Sequence, residues 1–561
     1  MLHASIEAII LNDGTSVPLP KEGNLVIVGP NGAGKSRMLR DIASLCGTPH
    51  SEVSVITALK LRKEGTVGDL RGWIQTHVSS DIHLGSDRRV YHLGPTAQGL
   101  LDALVAQWGG SDPNSFSGLA EAFVGLVDAG TRITLGNAVP SFDLGTAPAV
   151  LPLQRVFMRG DVEQMLSDRT KAAFGVGIFV DRLAGSVIRL RVGEGPPLPA
   201  GEILTSDYIE AIQRHPPLDE QGDGVRSFVG LMLHILATER FVTLVDEPEA
   251  FLHPPQAYHL GRMLALTPGQ LVVATHSSDV VRGMLATGSA TSVARLVRDG
   301  HLNHASMLSS YEVSQLWSDP LLRYSLALDG LFHELVIVCE GDADCRFYQS
   351  VFDDMRSDGV QELATDVLFT HCGGKQRAAT LATALRLVNV PVRVIVDLDV
   401  FRNGADVQRI VESLDGTWDV FEKDWNVVRS CVESSGFRPL VTQAREKITD
   451  ILDAALEARI SAQEELAIRN EVRIASGWDR LKTSGVAGLP GGHVTQAVNR
   501  LLDALAALGV HVVPVGELER FVPDIGAHGP AWVTAVHKAG RHEDKTLTAP
   551  REFVARSAAQ V

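Results

Sequence analysis

The chain of 561 residues carries 51 lysines and arginines against 67 aspartates and glutamates, a formal net charge of −16. Hydrophobic residues make up 45% and charged residues 21%, which is typical of a folded chain with a sizeable core and excludes wholesale disorder. The acidic balance argues against non-specific coating of nucleic acid, because such binding depends on many lysine and arginine contacts to phosphates. The length predicts about two to four domains.

The cysteines and the N-terminus exclude further classes of protein. No basic region followed by a long apolar stretch opens the chain, and no window approaches the roughly 18 apolar residues of a membrane span. None of the five cysteines belongs to a C-x-x-C pair; they are Cys46, Cys339, Cys345, Cys372 and Cys431. This spacing predicts neither a zinc module nor a disulfide framework. We therefore expect a cytoplasmic protein with no membrane contact.

A glycine-rich turn follows the first predicted buried strand. Residues 25–28 (LVIV) predict that strand and residues 36–46 the next helix, while the segment between them, GPNGAGKS, matches the P-loop pattern G-x-x-x-x-G-K-[ST]. In this context, backbone N–H groups bind the β-phosphate of ATP, Lys35 reaches the β- and γ-phosphate oxygens, and Ser36 ligates Mg²⁺. The predicted nucleotide-binding residues of the loop are Gly29, Asn31, Gly32, Ala33, Gly34, Lys35 and Ser36.

Residues 50–200 carry little periodic pattern and several turn-rich stretches. We interpret this region as a helical or dimerisation insert. Strands alternate with helices on both sides of it, which predicts a mostly parallel α/β sheet.

A second buried strand, residues 241–247 (FVTLVDE), ends in two carboxylates. Asp246 is suited to bind Mg²⁺ at the phosphates, and Glu247 to polarise the attacking water. The next buried strand is predicted at residues 271–275.

Three neighbouring motifs make the interpretation of this strand as part of an ATPase more specific. Pro248 and Glu249 follow it directly, His276 ends the next strand, and Ser227 precedes it. In this order the motifs resemble those of ABC-type ATPases of the SMC/RecF class.

That resemblance implies a particular geometry. Ser227, in the segment Gly224-Val225-Arg226-Ser227, would open a buried helix and contact the γ-phosphate bound by the opposite protomer. His276 would sense the γ-phosphate and orient the attacking water. The resemblance therefore implies a homodimer or higher homo-oligomer formed through the ATPase domains.

In the second half of the chain, two more predicted strands, residues 335–339 and 392–396, end in acidic residues. The carboxyl ends of parallel strands meet at one edge of a sheet, so we expect these acids to lie together. They would repel one another strongly unless a divalent cation such as Mg²⁺, or alternatively Mn²⁺, offsets their charge. The four acids are Glu340, Asp344, Asp397 and Asp399.

The E-G-x-x-D and D-x-D motifs formed by these acids resemble the TOPRIM domain of topoisomerases, bacterial primases and OLD-family nucleases. The six tyrosines lie in unrelated segments and the cysteines form no zinc module, which disfavours a topoisomerase and a primase. Hydrolysis by metal-activated water remains.

An ABC-type ATPase followed by TOPRIM resembles the overcoming-lysogenization-defect (OLD) nucleases, including those of Gabija-type anti-phage systems. The resemblance implies that the four acids bind the catalytic metals, with Glu340 and Asp397 acting in catalysis. It also implies that Glu519 is the family's late acidic metal ligand, with Glu517 as the competing choice. Lys482 would be the lysine that stabilises the transition state.

Lys375 stands in the turn Gly373-Gly374-Lys375, after the strand predicted at residues 367–370. The turn is similar to the family's glycine-lysine turn, which approaches a DNA phosphate. A plain β-turn is the other interpretation.

We thus expect an α/β chain with an ATPase domain over residues 1–328, a TOPRIM domain over 329–535 with a helical insert at 440–475, and a tail over 536–561. The favoured function is ATP-regulated, metal-dependent DNA cleavage, in defence against phage or plasmid DNA, with a helicase-like or other defence protein as a partner. The alternative is an ATP-dependent DNA clamp or sensor whose TOPRIM domain is a non-nucleolytic scaffold that recruits an effector.

Overall fold

The computed structural model describes residues 2–560 apart from 49–50, 83–88, 95, 109–112, 145–146, 198–204, 319–325, 435–440, 454–459, 462–463, 466 and 470–476. The chain divides into two compact units, Met1–Phe332 and His333–Val561. Within the described part of the chain, no helix is both long enough and apolar enough to cross a membrane.

The first unit combines strands and helices. Its strands are β1 (His3–Leu11), β2 (Ser16–Pro18), β3 (Gly23–Val28), β4 (Ile56–Glu64), β5 (Ser79–Ile82), β6 (Arg89–His92), β7 (Gln98–Leu100), β8 (Val124–Val127), β9 (Val139–Pro140), β10 (Ile178–Asp181), β11 (Val187–Val192), β12 (Val242–Asp246), β13 (Gln270–Ala274), β14 (Thr291–Asp299) and β15 (Leu302–Leu308). Its helices are α1 (Lys35–Gly47), α2 (Val67–His77), α3 (Leu101–Ala106), α4 (Ala120–Phe123), α5 (Ala129–Leu135), α6 (Pro152–Met158), α7 (Gly160–Phe174), α8 (Ser206–Gln213), α9 (Asp223–Thr238), α10 (Pro254–Ala265), α11 (Ser278–Leu285) and α12 (Ser310–Ser318).

A six-stranded sheet in the order β15-β14-β3-β13-β12-β8 forms the centre of this unit. Its neighbours pair in parallel, except for the antiparallel pair β14 and β15. Every residue of β12 and β13 is buried, as is usual for parallel strands covered on both faces. The strands predicted at residues 25–28, 241–247 and 271–275 are confirmed as β3, β12 and β13. Their carboxyl ends share one edge of the sheet.

Residues 50–200 do not form one separate insert, which corrects the sequence-based expectation. β4 pairs with β1, and β8 is the outer strand of the central sheet beside β12. Leu70, Ile74 and Phe123 pack in the same hydrophobic core as Leu25. Long-range pairing of this kind leaves no local periodicity, so the sequence pattern could not indicate it.

The second unit has its own sheet and core. Its strands are β16 (Leu335–Cys339), β17 (Val367–His371), β18 (Val392–Val396) and β19 (Val510–Val512). Its helices are α13 (Asp342–Ser357), α14 (Lys375–Leu387), α15 (Gly404–Ser413), α16 (Asp419–Ser434), α17 (Val441–Asp453), α18 (Gly477–Ser484), α19 (His493–Leu508), α20 (Gly529–Lys538) and α21 (Thr548–Ser557).

The four strands of this sheet run parallel in the order β17-β16-β18-β19. The predicted strands at 335–339, 367–370 and 392–396 are confirmed as β16, β17 and β18. The helical insert predicted at 440–475 begins with α17, and much of its remainder lies outside the described residues.

Residues 536–561, expected as a tail, include α21, which is part of the second core. Phe553 and Val554 of this helix are buried in the same cluster as Trp532 and Tyr348. The backbone of Ala559 also forms an antiparallel bridge with Leu363. The C-terminal segment therefore completes the second core.

Candidate active sites

The P-loop of the first unit runs from β3 to α1. Gly29 has a φ angle of 142°, and a Cβ atom on it would lie 2.1 Å from the carbonyl oxygen of Leu296, so only glycine fits. The Nζ of Lys35 donates hydrogen bonds to the carbonyl oxygens of Gly29 at 2.7 Å and Pro30 at 3.0 Å. Burial lowers the pKa of Lys35 to about 8. These bonds hold the Lys35 side chain inside the loop. The other predicted members of the loop are Asn31, Gly32, Ala33 and Gly34.

Asp246, the last residue of β12, faces Ser36. The aspartate is 6% exposed, and its Oδ1 has no hydrogen-bond partner in the described structure. Burial raises the pKa of Asp246, and the nearby Ser36 hydroxyl opposes that shift. Because a buried carboxylate oxygen without a partner is costly, this donor set fits a hard cation such as Mg²⁺.

Glu247 and His276 face each other, with 3.9 Å between Glu247 Oε1 and His276 Nε2. Glu247 has a φ angle of 45°, which is uncommon for a residue other than glycine. The half-buried carboxylate of Glu249 accepts hydrogen bonds from the His276 backbone N–H at 2.7 Å and the Thr275 hydroxyl at 2.8 Å. Burial lowers the pKa of His276. A neutral imidazole and a carboxylate at this distance can both form hydrogen bonds to one water that lies beside them.

Ser227 does not open its helix, which corrects the sequence-based expectation. Helix α9 begins at Asp223, so Ser227 lies in the second turn, where it is 1% exposed. Its hydroxyl accepts a hydrogen bond from the Nε of Arg132 at 2.5 Å. The N–H groups that bind phosphate at a helix N-terminus belong instead to the residues around Gly222 and Gly224.

Two residues of this site were not predicted from the sequence. Arg132 is fully buried and donates hydrogen bonds to the carbonyl oxygens of Asp246 and Glu247. Asn303, also buried, donates from Nδ2 to the carbonyl oxygen of Ala33 in the P-loop at 2.7 Å. Neither residue stands in a motif, and both meet the site only through long-range contacts, so the sequence carries no signal for them.

In the second unit, Glu340 and Asp397 come directly after the neighbouring strands β16 and β18. The backbone N–H of Asp397 donates a hydrogen bond to Glu340 Oε1 at 3.1 Å. Burial raises the pKa of Glu340 to about 7 and that of Asp397 to about 8, and repulsion between the neighbouring carboxylates contributes to both shifts. A divalent cation would relieve this repulsion, so the donor set fits Mg²⁺ or Mn²⁺.

The other two predicted acids lie at the same edge. Asp344, in the first turn of α13, accepts a hydrogen bond from the Gly341 backbone N–H at 2.8 Å. Burial raises the pKa of Asp344. Asp399 forms a 2.8 Å ion pair with Lys375, which therefore contacts the acidic cluster itself.

Both late acids and the predicted lysine also lie at this cluster. Lys482 Nζ is 3.5 Å from Glu517 Oε2, and its positive charge partly opposes the rise in the pKa of Asp397. The charge of Glu519 contributes to the raised pKa of Asp344. Among the described residues, ligand atoms of Glu517, Glu519 and His528 lie within 4.8 Å of one another. No motif indicated the histidine.

Two family models match the chain. The one described as "AAA domain, putative AbiEii toxin, Type IV TA system" covers residues 213–282. The one described as "Overcoming lysogenization defect protein-like, TOPRIM domain" covers residues 331–399. The first range contains Asp246, Glu247 and His276, and the second contains all four acids of the cluster after β16 and β18. A search of curated proteins gave no match.

Solved structures with similarity to the chain include heads of SMC proteins. The SMC head bound to the C-terminal winged-helix domain of ScpA is 14% identical, with 54% of this chain and 97% of that chain covered and a TM-score of 0.33. The SMC head of Thermotoga maritima is 14% identical, with 55% and 99% covered and a TM-score of 0.30. The assignment of an ATPase domain and a TOPRIM domain rests on the two family matches and not on these structures.

The two sites and the family matches define a P-loop ATPase joined to a TOPRIM domain in one chain. Their order along the chain supports its assignment to the OLD family of ATPase–TOPRIM proteins. The narrower similarity to Gabija-type nucleases stays a prediction.

Proposed function

We propose that this chain is an ATP-regulated DNA endonuclease that depends on Mg²⁺ or Mn²⁺. The observation that carries the proposal is the cluster of half-buried carboxylates after β16 and β18, with two lysines beside it. Glu340 and Asp397 have raised pKa values, and Lys375 and Lys482 face the cluster. Acids in this arrangement bind divalent metal, and lysines beside it stabilise negative charge on a phosphate.

In the second unit, the bound metal would activate a water and offset charge on the scissile phosphate. The residues proposed to hold it are Glu340, Asp344, Asp397, Asp399 and Glu519. Lys482 would stabilise the charge that develops on the phosphate oxygens.

In the first unit, Lys35 would contact the β- and γ-phosphates, while Ser36 and Asp246 would hold Mg²⁺. Glu247 would accept a proton from the attacking water, and His276 would orient that water. The buried position of Ser227 supports a revised contact across a homodimer, or higher homo-oligomer, in which the N-terminus of α9 faces the partner's nucleotide.

The biological role proposed for this activity is defence against phage or plasmid DNA, with a helicase-like or other defence protein as a partner. This proposal depends on the similarity to OLD nucleases. The net charge of −16 agrees with DNA contact confined to the acidic cluster and the two lysines beside it.

Supercoiled plasmid incubated with the protein in Mg²⁺ or Mn²⁺ tests the nuclease proposal. We expect the wild type to cut the plasmid, the double variant Asp397→Ala/Asp399→Ala to leave it intact, and Asp415→Asn to behave as wild type. Asp415 is a matched control because it is an exposed acid of the same unit. Equal survival of DNA with wild type and the double variant, with and without ATP, would favour the non-nucleolytic clamp.

A further inference from the structure

Arg132 lies on α5, the short helix that follows β8, and its side chain is fully buried. Its guanidinium bridges helix α9 and the turn after β12. It donates four hydrogen bonds, to the Oγ of Ser227 at 2.5 Å and to the carbonyl oxygens of Asp246 at 3.1 Å, Glu247 at 2.6 Å and Ala250 at 3.3 Å.

All four acceptors of Arg132 are uncharged groups in fixed positions. Burial lowers the pKa of the Arg132 guanidinium, and the negative charges of nearby carboxylates, led by Glu249 and Glu247, oppose that shift. The planar fork of arginine matches several acceptors at once, whereas a lysine ammonium is a single point charge on a flexible stem. The site therefore requires the shape of arginine as well as its charge.

The backbone of Glu247 is held on both sides in its left-handed conformation, at a φ angle of 45°. Its N–H donates a hydrogen bond to the carbonyl oxygen of Ala274 at 2.8 Å, and its own carbonyl accepts from Arg132. Strained backbone of this kind persists only where its surroundings hold it. In this conformation the Glu247 carboxylate lies beside His276.

Helix α9 is in close contact with the helix that carries Arg132. A Cβ atom on Gly230 would lie 1.8 Å from the carbonyl oxygen of Arg132, so the two helices meet backbone to backbone. Because Ser227 on the same helix bonds the guanidinium, a displacement of α9 would disturb the group that holds Glu247.

We propose that Arg132 is a positioning residue for ATP hydrolysis. It holds Glu247 beside the attacking water, and it makes the position of Glu247 depend on the position of helix α9. This inference rests on the proposed ATPase activity.

The variant Arg132→Lys keeps the positive charge and loses the planar set of N–H donors. We expect its kcat for ATP hydrolysis to fall about tenfold or more, with KM and the Kd for a non-hydrolysable ATP analogue within about twofold of wild type. Ser227→Ala removes only one of the four bonds, and we expect a several-fold fall in kcat with unchanged nucleotide affinity.

A double variant separates positioning from a merely structural role. If Arg132 acts through Glu247, adding Arg132→Lys to Glu247→Gln should lower the residual turnover by less than twofold. Arg191→Lys is the matched control, because Arg191 is also buried in this unit and bonds Asp181 and the carbonyl oxygen of His215. We expect that control to keep wild-type kcat.

Wild-type kcat in both Arg132→Lys and Ser227→Ala, or a tenfold further loss in the double variant, would overturn the inference. If Arg132→Lys does not fold, wild-type kcat in Ser227→Ala alone is enough to overturn it. Full turnover by Glu247→Gln alone would instead contradict the proposed ATPase mechanism, in which Glu247 accepts the proton. That result is distinct from a failure of the Arg132 inference, which the Arg132 and Ser227 variants measure.

Discussion

At the scale of single residues, the chemistry proposed for both sites depends on carboxylates with defined neighbours. Glu247 is held in a rare backbone conformation beside His276, whereas Glu340 and Asp397 share one half-buried edge of the second sheet. The motifs predicted these residues because each follows a buried strand directly. They could not predict Arg132, whose partners lie about a hundred residues away along the chain.

The first prediction concerns the proposed base. Glu247→Gln keeps the size of the side chain and removes its ability to accept a proton, so we expect ATP turnover to fall about 100-fold or more with ATP affinity retained. Steady-state hydrolysis and equilibrium nucleotide binding measure the two effects. The matched control is Glu239→Gln, an exposed glutamate of the same unit that also has a φ angle of 45°. Equal turnover in both variants would remove Glu247 from the mechanism.

The second prediction concerns Lys482. If its ammonium stabilises charge on the scissile phosphate, Lys482→Met should cut plasmid about 100-fold more slowly while still binding Mn²⁺. Cleavage rates and calorimetric metal binding measure these two effects. Lys545→Met removes another exposed lysine of the same unit, paired with Asp358, and should cut at the wild-type rate. A rate for Lys482→Met within twofold of that control would show that Lys482 lies beside the acids without stabilising the transition state.

At the scale of elements, the sequence predicted the strands that carry motifs and failed where elements meet at long range. β12, β16 and β18 are short apolar runs that end in acids, so their local pattern was sufficient. β4 and β8 pair only with strands that are distant in sequence, so no local pattern indicated them. Ser227 lies one turn inside its helix because the helix begins at Asp223.

The third prediction tests the close contact between α5 and α9. Gly230→Ala would place a methyl group 1.8 Å from the backbone oxygen of Arg132, so we expect the free energy of unfolding to fall by about 1–3 kcal/mol. Gly72→Ala, on the exposed face of α2 with no atom within 4 Å, should instead be neutral or stabilise by up to about 1 kcal/mol. Denaturant unfolding of the two variants compares them. Similar stability of both would mean that the helices are not in close contact.

At the scale of the whole molecule, two units with separate cores each carry one candidate site. The length and the motifs predicted this division, but they did not predict that the C-terminal helix completes the second core. The packing of Phe553 and Trp532 in that core depends on contacts that composition does not encode.

The fourth prediction is a pH dependence of the second unit. Burial, with the nearby charges of Arg393 and Arg556, lowers the pKa of His511 from 6.5 to about 3. Between these values the unfolded chain binds a proton that the folded chain does not, so the stability contributed by His511 is present above pH 6.5 and is lost as the pH falls towards 3.

We expect this group to account for about 2 kcal/mol of stability lost between pH 7.5 and pH 5. Thermal unfolding at the two pH values should therefore show a smaller loss in His511→Gln than in wild type. The exposed His493 is the control, and His493→Gln should keep the wild-type loss. An equal pH dependence in all three proteins would contradict the assignment.

The most direct test of the account is the rate of plasmid cleavage by wild type and Glu247→Gln, each with and without ATP, in one divalent metal. If the ATPase regulates the nuclease, the two proteins cut at the same rate without nucleotide and differ several-fold when ATP is present, because the variant holds ATP without hydrolysing it. Equal rates in both conditions, with ATP shown to bind, would contradict the regulation of one site by the other.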